Sequence, residues 1–197
     1  MRLLRPALTV AASLVLVVAA ANPGAAATKV YKDAKGDVSK AGLDIRSVKV
    51  VNTPEKILVR VNLDGSAKAY GYPNGSMEIL LNTNKKKGPD FGAFLYLRSE
   101  YFAGPMVGGV IVDREKWNGF DPNAPSCVST MRVKSNEKLT FISFQVSKTK
   151  ECLGTPKKVG VNVKTINTGK FGKKAYKKPK VDYYPKKNSF TKRIKQG

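Results

Sequence analysis

The chain contains no histidine. That excludes a Ser-His-Asp or Cys-His nucleophile and removes the commonest nitrogen ligand for a metal. A glycosidase needs two positioned carboxylates. Glu78, Glu100, Asp113, Glu115 and Asp121 are present, but no spacing among them singles out a pair. A Ser-x-x-Lys nucleophile belongs at a helix start, and no stretch after residue 27 sustains apolar residues at helical spacing. The sequence therefore predicts a protein that is not an enzyme and has no catalytic residues.

Three acids could gather around Ca²⁺, a hard cation that takes oxygen ligands. They are Asp33, Asp37 and Asp44. Asp33 and Asp37 equally suit an Asp/Gly turn in which they bond their own backbone. No other cofactor is expected. Cys127 and Cys152 are an even pair with neither CxxC spacing nor histidine beside them. In an exported chain such a pair reads as one disulfide.

Binding residues fall in two groups. Tyr70, Tyr72, Tyr101, Phe102 and Trp117 lie in or beside loops, where flat rings could stack on a sugar or could cover an end of the core. The second group follows residue 169. Lys173, Lys174, Lys177 and Lys178 stand with Tyr176, Tyr183, Tyr184 and Phe190 in a segment whose one acid is Asp182. Ammonium groups would meet phosphates or carboxylates as point charges, and the rings would lie against sugars or bases. The whole chain has 36 Lys+Arg against 14 Asp+Glu, a formal net charge of +22. That balance favours polyanions within about a Debye length, roughly 8 to 10 Å.

The elements that must position these groups are strands. Residues 1–27 read as a cleaved export signal: Arg2 and Arg5, then an apolar run to Ala21, then Ala25-Ala26-Ala27. No second long apolar run follows Thr28. Val48 and Val50, then Ile57, Val59, Val61 and Leu63, alternate with polar residues on either side of a Pro-containing turn. That is a hairpin with one buried and one wet face, Arg60 and Asn62 lying on the wet one. Further strands are expected near Lys29–Tyr31, Met77–Leu81, Phe91–Arg98, Val107–Val112, Val128–Lys134, Lys138–Val146 and Val159–Val163. About eight strands at this spacing predict an all-β, antiparallel two-sheet sandwich, jelly-roll-like, over residues 28–169. Residues 170–197, with few aliphatics to bury, are expected as a basic C-terminal extension.

Asp33-x-x-Gly36-Asp37, Asp44-Ile45 opening a strand, the hairpin, Leu80-Leu81-Asn82-Thr83-Asn84 closing a strand, and Asp90-Phe91 before an aromatic strand form a familiar series. Over roughly Tyr31 to Thr165 it resembles small secreted actinobacterial β-sandwich domains of the group containing carbohydrate-binding module family 9 and the DOMON-like domains. The resemblance implies a non-catalytic sandwich that holds a sugar or, in other members, a haem. Haem-binding members use Met and His ligands, and this chain has no His. Sugar-binding members stack the ligand on paired tryptophans, and here Trp117 stands alone.

The expectation is thus a secreted or cell-wall-associated, strongly basic, non-catalytic protein that engages an anionic wall or extracellular polymer through its basic tail and loops. No specific nucleic acid and no membrane span after signal cleavage are expected. A neutral-carbohydrate module using the loop aromatics is the second reading, and a small secreted hydrolase the third.

Overall fold

The computed structural model describes residues 26–34, 43–64, 73–84, 88–96, 106–110, 130–136, 138–150, 152–170 and 178–197. They hold eleven strands and no α-helix: β1 (Ala27–Lys32), β2 (Ile45–Asn52), β3 (Lys56–Leu63), β4 (Pro73–Asn82), β5 (Phe91–Tyr96), β6 (Met106–Val110), β7 (Met131–Ser135), β8 (Phe141–Ser147), β9 (Lys158–Lys170), β10 (Lys180–Tyr184) and β11 (Ile194–Lys195).

The strands form two antiparallel sheets. Sheet A has the order β1-β2-β3-β8-β7, and sheet B the order β10-β9-β4-β5-β6, with β11 also on β9. Strands β1 to β3 meander in sheet A and β4 to β6 in sheet B. β8 then returns beside β3, and β9 beside β4.

Period-2 alternation decides which side chains meet between the sheets. In β2 and β3, Val48 opposes Val61 and Val50 opposes Val59. All four are fully buried. The turn between these strands is closed by the Thr53 hydroxyl, which accepts from the Glu55 and Lys56 amides at 3.2 and 3.1 Å. From sheet B come Met77, Ile79 and Leu81 of β4 and Val159, Val161 and Val163 of β9. Phe91 of β5 reaches across to Phe144 of β8, with ring centroids 6.3 Å apart. Burying each such side chain contributes about 1.5 to 3 kcal/mol, so a continuous two-sided layer of them holds the sheets together.

The expected two-sheet sandwich is the fold observed. The boundary at residue 170 is not where it ends. β9 runs through Lys170, and β10 and β11 both pair the edge of β9 that β4 leaves open. Between them Thr191 continues the seam: its amide donates to Val161 O at 2.9 Å, and its hydroxyl accepts from the Val161 amide at 3.1 Å. Gly160 permits this close approach, since a Cβ there would lie 3.2 Å from Phe190 Cβ and 3.3 Å from Thr191 O.

Residues 178–197 are fastened mainly by polar groups rather than aliphatic ones. Asp182 is buried and accepts the Ile45 amide at 2.7 Å, joining sheet B to the start of β2. Asn162 donates to Lys186 O and Ser189 O at 3.0 and 2.6 Å. The buried Lys148 ammonium donates to Thr53 O, Pro156 O and Gln196 Oε1 at 2.6, 2.9 and 3.1 Å, and burial lowers its pKa. Ile194 is the one aliphatic from this segment in the core. A count of aliphatics does not register these polar fastenings.

Candidate polyanion interface

Of the residues expected to bind or to react, Tyr70, Tyr72, Tyr101, Trp117, Lys173, Lys174, Tyr176, Lys177, Asp37 and Cys127 lie outside the described residues. Lys178 is exposed just before β10. Tyr184, expected as a ligand-facing ring, points inward. It packs on the core with its ring 6.1 Å from that of Tyr31. Burial raises the pKa of both phenols. At Tyr184 the Asp33 carboxylate and Tyr31 add to this, and at Tyr31 a hydrogen bond with Thr191 partly offsets it.

Tyr183 lies on the outer side of sheet B. With Glu78, Leu80, Asn162, Lys164 and Lys187 it lines a cavity of about 20 Å³, room for a water molecule but no more. Glu78 there is paired with Lys164 at 2.8 Å, and both side chains are largely buried. A second, polar cavity of about 130 Å³ touches Thr83, Asn84, Asp90, Cys152 and Leu153. Its carboxylate is already engaged. Asp90 accepts from the Thr83 amide and hydroxyl at 2.5 and 3.1 Å, from the Asn84 amide at 3.0 Å, and from the Asn84 side chain.

Asp33 and Asp44 sit at one end of sheet A. The Asp33 amide donates to Arg46 O and its Oδ1 accepts the Ala34 amide, both at 3.0 Å. Asp44 O accepts the Asp64 amide at 2.8 Å. Among the described residues no three His, Cys, Asp or Glu side chains gather as a metal site. Cys152 packs against the core, and no described cysteine is a free thiol.

The concentrated charge lies elsewhere. The five strands of sheet A carry Lys29, Lys32, Arg46, Lys49, Lys56, Arg60, Arg132 and Lys134, and not one Asp or Glu. The strands of sheet B carry five lysines with Glu78 and Asp182 among them. The inward positions of sheet A include the buried valines and isoleucines with Leu63, Met131 and Phe144. Alternation therefore puts Lys32, Lys49, Lys56, Arg60, Arg132 and Lys134 on its outer face.

Register brings these cations together. Lys49 is directly opposite Arg60, Arg60 opposite Ser143, and Ser143 opposite Lys134. Val30, 54% exposed, continues this row on β1. The next row runs Thr28, Val51, Leu58, Gln145, Arg132, and the one on its other side Lys32, Ser47, Asn62, Phe141. With strands about 4.8 Å apart, Lys49 and Arg60 are rooted about 5 Å apart, and Arg60 and Lys134 about 10 Å.

Arg60 is held in place. Its guanidinium lies over the Phe141 ring, 3.7 Å from the centroid. Its Nε donates to Asn62 Oδ1 at 3.2 Å, and Asn62 Nδ2 donates to Ser47 Oγ at 2.8 Å. A stacked, hydrogen-bonded guanidinium has less rotamer freedom to lose when an anion arrives. The alternation seen in the sequence placed Arg60 and Asn62 on a wet face. It could not show that Lys134, seventy-four residues after Arg60, shares the row of Arg60.

These features define an antiparallel β-sandwich with one basic face whose strands carry no acid. No family model matches the chain, and neither the curated proteins nor the solved structures contain a match to it.

Proposed function

We propose that this is a secreted or wall-associated, non-catalytic binding protein that engages an anionic extracellular polymer. The observation that carries the proposal is the outer face of sheet A, with six cations and no acid in its strands. Lys49 and Arg60 stand directly opposite each other, an arrangement that costs stability. A bound polyanion would relieve that repulsion. The contact surface proposed is therefore this face, rather than the segment after residue 169. That segment's Tyr184, Thr191 and Ile194 are occupied in packing.

Export by residues 1–27, pairing of Cys127 with Cys152, and kinship with the carbohydrate-binding module family 9 and DOMON-like group belong to the same proposal. They rest on the sequence features given above. The test is binding of the chain without residues 1–27 to isolated anionic wall polymer across a salt series. Charge-driven association must weaken steeply as salt rises. An affinity that is the same at low and high salt would sink the proposal.

A further inference from the structure

Resting on that polyanion reading, we infer that the ligand of sheet A is a ringless phosphodiester chain, a polyol phosphate. It would lie across the strands along the Lys49–Arg60–Lys134 row, with Arg60 as the anchor.

The face is chemically simple. Its outward charges are four lysines and two arginines, and its remaining outward residues on the three ladder rows are Thr28, Val30, Ser47, Val51, Leu58, Asn62, Phe141, Ser143 and Gln145. Ammonium groups are point charges that accept a tetrahedral phosphate from many directions. A guanidinium fork can take two oxygens of one phosphate at once.

The rings decide between polyanions. A uronic-acid polymer brings a sugar ring with every charge, and a nucleic acid brings a base. Proteins that hold single-stranded nucleic acid give each base an aromatic surface to stack on. On these rows Phe141 is the one aromatic residue, and its face is already covered by Arg60. The three rows can thus neutralise charge but, among the described residues, offer no free ring, which suits a polymer of phosphates and short flexible polyols.

The row also has direction. Its cations stand on β2, β3 and β7, so a bound chain must cross the strands rather than follow one. Arg60 sits in the middle with its Nε occupied by Asn62. Its terminal nitrogens make no hydrogen bond to the described residues and are available to a phosphate.

The experiment measures affinity for poly(glycerol phosphate), polygalacturonate and poly(dT), matched in charge concentration, over a salt series. Poly(glycerol phosphate) should bind tightest. With the three cations of the row as contacts, log K should fall against log salt with a slope of about −2, using the single-strand coefficient of roughly 0.7 per contact. Lys49→Gln/Arg60→Gln/Lys134→Gln should weaken binding by about a hundredfold at low salt, about fivefold per charge, and flatten the slope. Lys49→Gln/Lys134→Gln, which leaves the Arg60–Phe141 stack intact, should weaken it by about 25-fold.

The control is Lys178→Gln/Lys187→Gln/Lys195→Gln, an equal loss of charge at exposed positions in residues 178–197, and it should change affinity less than about fivefold. Equal weakening by the control and the face variants would overturn the proposed site while leaving a polyanion binder. Polygalacturonate or poly(dT) binding as tightly as poly(glycerol phosphate) would overturn the ringless ligand. If none of the three polymers binds at low salt, the polyanion reading itself falls.

Discussion

Lys49→Glu should make the protein more stable and a worse binder. Lys49 faces Arg60 across the β2–β3 ladder, and no acid stands anywhere in the strands of sheet A to offset the pair. Directly opposed charges contribute roughly 0.2 to 1 kcal/mol, with the sign set by whether they attract or repel. Reversing one charge exchanges a repulsion for an attraction, a gain of about 1 kcal/mol by that scale. For a chain of 197 residues this raises Tm by about 2 to 4 °C. The rise should shrink in 1 M salt, where the Debye length is about 3 Å. The same change moves the face by two charge units, so affinity for a polyanion should fall by about 25-fold at low salt. Thermal melts by circular dichroism and a binding isotherm on the same samples check both halves. Lys49→Gln should fall between wild type and Lys49→Glu in each. A lower Tm for Lys49→Glu would show that the lysine is not frustrated where it stands. Unchanged binding would show that the row is not the contact.

Asp182→Ala should cost about 2 to 3 kcal/mol, because a buried amide loses a charged acceptor; a denaturant midpoint within error of wild type would mean that residues 178–197 are not bound through this group. At alkaline pH the folded chain holds the Tyr31 and Tyr184 protons longer than the unfolded chain does. That contribution is intact below about pH 10 and is lost as pH rises through the raised folded values. Tyr184→Phe should therefore lose less stability above pH 10 than wild type, both being read against Lys148, whose lowered pKa acts with the opposite sign. Millimolar calcium should leave Tm unchanged if Asp33 only closes its turn; a rise lost in Asp37→Ala would instead establish a metal site, since a ligand of the native state alone must stabilise it. Labelling of the unfolded, unreduced protein should find no free thiol, and two labelled cysteines would refute the Cys127–Cys152 pairing.

Much of the sandwich is legible in the sequence because its inward positions are nearly pure. Val48, Val50, Ile57, Val59, Val61 and Leu63 leave one choice of face, and a slip by one residue would bury Arg60. The last strands are not legible by the same rule. Inward positions of residues 178–197 include Asp182, Tyr184 and Thr191, and a buried aspartate that accepts a backbone amide has no periodic signature. Tyr183 and Tyr184 illustrate the ambiguity. Adjacent in sequence, they go to opposite sides of β10, one to a small polar cavity and one to the core. A tyrosine among lysines suits either a ligand platform or a packing contact.

The basic face was illegible for a different reason. Its charges are spread from Lys32 to Lys134, and only strand order makes neighbours of β3 and the β7–β8 hairpin. Net charge by itself does not demand such a face. A surface selected for solubility intersperses both signs and spares the fold its own repulsion, much as sheet B sets Lys164 against Glu78. Sheet A does the reverse: it puts a lysine opposite an arginine, and it uses a phenylalanine, an asparagine and a serine to hold that arginine still. Each choice lowers the freedom or the stability of the unbound protein, and each becomes favourable once an anion lies on the row. One chain therefore keeps two rules for charge: an ion pair at Lys164 and Glu78 on sheet B, and on sheet A a positioned arginine facing a lysine in strands that carry no acid. A partner of opposite sign is the condition under which the second rule stabilises the protein.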